Sequence, residues 1–259
     1  MHPMLTIAIR AVRQAGDFIN KNYENYNVLK KQNNFLTNID KKVKQIIITT
    51  IKKSYPTHTI ITKERYQIID KKNSIQWIIN PLDGIINFIK LLPNFSVSIA
   101  VRINCRTEIA AIYNPILNEL FTAVRGQGAQ LNNYRLRIKN NNELKVIIIA
   151  TGFPFKKQQN TSMYIDVIIE LIKKYTNLYS TGVISLDLAY VAAGRIDAVF
   201  KVGLKPYDFM AGELLIRESG GIVTDFLGGY NYLSSGNFLA GNLSIVKKII
   251  TEIKQYLKY

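Results

Sequence analysis

The chain has 259 residues, 47% of them hydrophobic, enough to bury a substantial core in one large domain or two intimately packed halves. Its only cysteine, Cys105, excludes an internal disulfide and a thiol-rich metal site, and with only His2 and His58 a histidine-based zinc centre is disfavoured, so any metal would be held by oxygen. A formal net charge of +16 and a pI near 9.8 point to a polyanionic partner, chiefly RNA, DNA or a ribosomal surface; a second reading is that Lys, Asn, Ile and Tyr, the residues of A+T-rich codons, have accumulated on solvated faces.

Leu5, Ile9, Val12, Gly16 and Ile19 recur at helical spacing and predict an amphipathic helix over residues 3–23. Arg10 and Arg13 interrupt its apolar pattern, so it lacks the uninterrupted apolar segment of a signal peptide, and no stretch is long enough to span a bilayer. The expectation is a reducing cytoplasm and no membrane partner. Residues 25–36 read as loop. Thr37-Asn38 is a capping signal for a second helix, with Ile39, Val43, Ile46, Ile47 and Ile51 on one face and Tyr55-Pro56 as its stop.

Strands follow over 58–62 and 76–79, the latter ended by Pro81, which has no N–H for a ladder. Further strands over 95–103, 107–113 and 119–124 are joined by short polar links, as in an antiparallel meander. Gly126-Gln127-Gly128 resembles half of a nucleotide-binding fingerprint, but strand-like residues flank it and Asn132-Asn133 supplies a hairpin turn. From Lys145 strands and helices alternate: strand 146–150, helix 162–175, strand 178–180, helix 185–193 ended by Gly194, strand 195–202, helix 208–219 closed by Gly220-Gly221, strand 222–226 and a last helix over 243–256. The expected body is a single layered α/β unit over residues 1–259, with an N-terminal half (1–144) that holds most of the antiparallel sheet and an α/β C-terminal half (145–259).

Chemistry concentrates between Gln76 and Phe88. There an apolar strand runs into Asp83-Gly84, a turn that brings a carboxylate and backbone carbonyls into one small space, as a hard cation such as Mg²⁺ requires. Taken alone, such a turn is more often only a turn. Asp40, by itself, reads as a carboxylate favoured by the dipole in the first turn of its helix.

Four segments together resemble the inositol monophosphatase family: Asn38-Ile39-Asp40, residues 77–88, Ser185-Leu186-Asp187-Leu188-Ala189-Tyr190 and Tyr207-Asp208-Phe209-Met210-Ala211-Gly212-Glu213. Met1 to Leu5, Lys52 to Pro56 and Ala189 to Arg195 are similar to the bacterial branch whose members serve as Nus factors. The resemblance implies an αβαβα sandwich, usually homodimeric, that hydrolyses phosphate monoesters with Mg²⁺. Carboxylates in such a site hold ions that clamp the phosphate and activate water. It implies metal ligands at Asp83, the Leu82 carbonyl and Asp208, a catalytic role for Asp40, and substrate contacts at Leu82, Asp83, Gly84, Ile85, Lys201 and Asp208.

The chain departs from the family's Asp-Pro-(Ile/Leu)-Asp-Gly-Thr motif where the chemistry is done. Asn80 replaces the first Asp, Ile85 the water-orienting Thr, and Lys63 the first Glu of an upstream pair, which leaves only Glu64; a substrate-contacting Glu falls at Lys201, and Val183 and Ile184 replace smaller residues. Lys63 and Asn80 together shift the metal shell by about three positive charges, and each unit pair near a protein surface is a matter of several kcal/mol at about 4 Å. Weak or absent Mg²⁺ binding is expected, and Ile85 cannot orient water. Lys63 has two readings: an ammonium paired with Asp83 or Asp208 in place of metal, or a side chain in solvent.

The leading expectation is a Nus factor in ribosomal RNA antitermination and maturation, partnered by RNA polymerase, other Nus factors and rRNA, with phosphatase chemistry lost or strongly reduced. One alternative is a weak Mg²⁺-dependent inositol-phosphate phosphatase using Asp83, Leu82 and Asp208. Another is a module in which Lys63 and Lys201 hold a phosphate without cleaving it.

Overall fold

The computed structural model describes residues 2–25, 35–64, 74–138, 146–152, 161–175 and 177–257. Two sheets alternate with three helical layers. In the first sheet the strands lie in sequence order: β1 (Thr59–Ile61), β2 (Ile75–Asp83), β3 (Ser96–Ile103), β4 (Arg106–Asn114), β5 (Glu119–Val124), β6 (Gly128–Leu131) and β7 (Tyr134–Arg135). β1 runs parallel to β2, and every other neighbouring pair is antiparallel. The second sheet is mixed, in the order β11-β12-β10-β8-β9, with β8 Ile148–Ala150, β9 Asn177–Tyr179, β10 Ala198–Lys201, β11 Ile222–Thr224 and β12 Phe238–Gly241.

The layering follows from side-chain alternation along the strands. In β2, Trp77 and Ile79 point to one buried cluster and Ile78 to another; in β4, Ile109, Ala111 and Tyr113 divide from Ala110 and Ile112 in the same way. The outer cluster packs under α1 (Pro3–Glu24) and α2 (Phe35–Ser54). The inner one surrounds α5 (Ile184–Ala192) and α6 (Pro206–Glu218) and reaches Val199 and Ala240 of the second sheet. Phe200 and Leu239 face the far side, where α4 (Thr161–Lys174) and α8 (Leu243–Ile253) complete the αβαβα order. α5 and α6 lie between two sheets and therefore bury most of their residues, seven of nine in α5 and eight of thirteen in α6. They touch closely: a Cβ at Gly212 would stand 2.4 Å from Leu188 Cβ.

Several boundaries differ from expectation. β2 does not stop at Pro81 but continues to Asp83, because the register shifts between Asn80 and Asp83, and a bulge asks no ladder N–H of the proline. α2 begins at Phe35, not at Thr37-Asn38, so Asp40 stands beyond its first turn and the dipole argument for it fails. Residues 26–34 of the expected loop lie outside the described residues. Three elements were not expected: α3 (Ile85–Ile89), α7 (Tyr232–Ser235) and β12. Asn132 and Asn133 do form the hairpin turn, both at positive φ (48° and 72°). Among the described residues, no helix is long and apolar enough to cross a membrane.

Candidate active site

Asp83 ends β2, and Gly84 turns the chain into α3 at φ 89°. Only glycine fits there, since a Cβ would lie 2.7 Å from Val183 Cγ2 and 2.9 Å from the Asn94 carbonyl. Asp83 Oδ2 accepts two hydrogen bonds from Ser185, from its N–H at 2.9 Å and its hydroxyl at 2.6 Å. Ser96 Oγ lies 2.6 Å from the same hydroxyl. Asn87 Nδ2 donates to the carbonyls of Asn94 and Thr181, both at 2.8 Å, and so ties α3 to the loop before α5.

A second carboxylate anchors that loop from below. Asp187, fully buried, accepts from Thr181 N–H (3.2 Å) and Thr181 Oγ1 (2.7 Å), and its other oxygen lies 3.3 Å from Lys201 Nζ. Burial raises the Asp187 carboxyl above its ordinary range, against the pull of Lys201. Lys201 also donates to the Thr151 carbonyl at 2.6 Å. Its ammonium is thus held inside the fold by two protein oxygens, which weakens the reading in which Lys201 grips a phosphate.

Asp208, in the first turn of α6, accepts from Lys205 N–H at 3.0 Å. Burial, followed by the negative charge of Asp83, pushes its carboxyl up to about 6, against the Lys205 hydrogen bond and the Lys63 charge. Asp40 is also raised, by burial, with Lys63 and Lys44 opposing. The fold therefore brings Asp40, Lys63, Asp83 and Asp208 into one electrostatic neighbourhood. Lys63 makes no direct pair there: its Nζ lies 5.8 Å from the centroid of the Tyr207 ring, and among the described residues no carboxylate reaches it within ion-pair distance. The metal-replacing ion pair is not formed; the lysine acts on the carboxylates through its field.

The residues do not fit the Mg²⁺ that the resemblance implies. Asn80 is fully buried with neither amide atom hydrogen-bonded, and its Oδ1 offers a cation a neutral oxygen where the family pattern has a charged carboxylate. Glu64 is already engaged: one oxygen takes Lys44 Nζ and the other Thr62 Oγ1, each at 2.6 Å, and these bonds hold its carboxyl down at about 2. Ile85 carries no hydroxyl and is 40% exposed. Among the described residues, no three His, Cys, Asp or Glu side chains converge to hold an ion. Ser96, Thr181, Ser185 and Asp187 hold Asp83 and the loop before α5 in place; the sequence shows Ser185-Leu186-Asp187 as a motif but gives none of the four a role.

The relatives carry two kinds of name. The chain is 54% identical to the "Nus factor SuhB" of Escherichia coli K12, over 99% of this chain and 98% of that protein. Its structure is similar to that of the extragenic suppressor protein suhB from Bartonella henselae, at TM-score 0.87 and 31% identity over 98% of this chain and 99% of that one. It is also similar to an inositol monophosphatase from Anabaena sp. PCC 7120, at TM-score 0.84 and 29% identity over 97% and 95% of the two chains. A family model described as "Inositol monophosphatase family" matches residues 1–258, and the chain belongs to the inositol monophosphatase family.

Proposed function

We propose that this protein works as a Nus factor, in processive antitermination of ribosomal RNA operons and in rRNA maturation, on a phosphatase fold whose Mg²⁺-dependent chemistry is lost or strongly reduced. Its setting is the cytoplasm, and its partners are RNA polymerase, other Nus factors and a second copy of itself, in an RNA-containing complex. The observation that carries the loss of chemistry is the joint state of Asn80, Glu64 and Ile85: a neutral amide, a carboxylate already bonded on both oxygens, and an alkyl group. The antitermination role is supported by the full-length likeness to proteins named Nus factor.

The tagged protein should retain RNA polymerase and Nus factors in a pull-down and should restore read-through of a terminator in a reconstituted antitermination assay. Recovery of neither would overturn the role. A weak phosphatase remains the second reading because Asp83 and Asp208 still stand within each other's field.

A further inference from the structure

A groove of about 530 Å³ opens between the solvent side of α2 and the edge strand β1, lined by Lys44, Lys52, Glu64, Thr57, His58 and Thr59 among others. Two lysines against one carboxylate leave the lining cationic by one charge, and Glu64 already spends its oxygens on Lys44 and Thr62. Lys44 spends one N–H on Glu64 and Lys52 spends two on the carbonyls of Pro56 and His58, so each ammonium keeps at least one of its three donors for another acceptor. His58 Nδ1 accepts from the Trp77 indole at 3.1 Å, which leaves Nε2–H as the donor of the neutral ring, and the ring stacks on Tyr55 at 4.6 Å. The exposed hydroxyls of Thr57 and Thr59 add two more donors.

The helix extends the charge beyond the groove. α2 carries Lys41, Lys42, Lys44, Lys52 and Lys53, with no acidic residue after Asp40. Lys41 stands one turn before Lys44, and Lys44 to Lys52 spans about 12 Å of helix at 1.5 Å per residue. Such a row suits a chain with a charge on every unit. An extended peptide added to β1 would find only three strand residues, preceded by a carbonyl that Lys52 already holds.

We propose that this groove binds the phosphate backbone of single-stranded RNA, with Lys41, Lys44 and Lys52 as the cationic contacts and the threonine hydroxyls and His58 as neutral donors. Phosphate contacts of this kind give affinity without base readout. The antitermination reading suggests where the RNA comes from, but the chemistry of the groove does not depend on it; either the oligonucleotide test below or the polymerase pull-down can fail while the other succeeds.

The test is fluorescence anisotropy of the full chain with a labelled mixed-sequence RNA of about a dozen nucleotides, titrated between about 50 and 200 mM salt. The Lys41→Glu/Lys44→Glu variant should lose at least about tenfold in affinity and about two units of salt slope. Lys41→Gln/Lys44→Gln, milder for folding, should move both in the same direction. Lys247→Glu/Lys248→Glu, an equal charge change on exposed positions of α8, should change affinity less than about threefold. Equal losses from the two Lys→Glu pairs, no binding by the unaltered chain, or tighter binding of a labelled polyglutamate peptide at the same salt would each overturn the proposal.

Discussion

Ser185 holds Asp83 at two points, through its backbone N–H and its hydroxyl, and both converge on one carboxylate oxygen. A residue at the start of α5 thereby fixes the end of β2 from across the interior. Hydrogen bonds to a charged acceptor contribute about 1.5–3 kcal/mol. Ser185→Ala removes the hydroxyl bond but keeps the backbone one, so the expected loss is about 1–2 kcal/mol of unfolding free energy in urea titration. An unchanged midpoint would mean that the bond carries no stability.

Lys201 is the counter-charge of a fully buried carboxylate, so its removal should be felt by the whole fold. Lys201→Met strands Asp187 with an uncompensated charge and should cost about 3–5 kcal/mol. Adding Asp187→Asn to that variant should recover part of the loss, which a double-mutant cycle measures.

Asp208 sets a pH dependence whose sign is opposite to that of a stabilising carboxylate. Its folded pKa of about 6 exceeds the ordinary 3.8, so the native state binds the proton more tightly than the unfolded chain does. Stability from this group is full below the unfolded value and is lost as pH rises through about 6. Asp208→Asn should therefore gain on the unaltered chain between pH 4 and 7, by about 3 kcal/mol at the upper end. A gap that shrinks as pH rises contradicts this.

Gly84 has both a left-handed φ of 89° and no room for a Cβ. Gly84→Ala should cost about 2 kcal/mol or more and should disorder the Asp83 turn, to be read as loss of amide-exchange protection in residues 82–89.

The meander and most helices were legible in the sequence because short polar links separate the apolar runs of the strands, as around Ile109 to Tyr113, and helical apolar residues recur near every fourth position, as in Leu5 to Ile19. β12 was not, since Phe238-Leu239-Ala240-Gly241 is only four residues long and leads directly into Asn242, the cap of α8. Pro81 misled because its missing N–H matters only where a ladder asks for it, and the bulge there does not. Of the site, the substituted positions were readable letter by letter, yet the partners of Asp83 and Lys201 come from other elements: Ser185 and Asp187 from α5, and Thr151 from just after β8. No spacing rule could show that Ser185 would meet Asp83, or that Lys201 would turn inward to Asp187 and Thr151.

Metal dependence separates a silent phosphatase fold from a working one. Purified protein, and a Lys63→Glu/Asn80→Asp/Ile85→Thr variant beside it, would be assayed on inositol monophosphate with Mg²⁺, and thermal unfolding of each would be followed as Mg²⁺ is added. The unaltered chain should show no turnover above background and no Mg²⁺-dependent rise in Tm, while the triple variant gains both. Robust turnover by the unaltered chain, abolished by Asp83→Asn, would contradict the account.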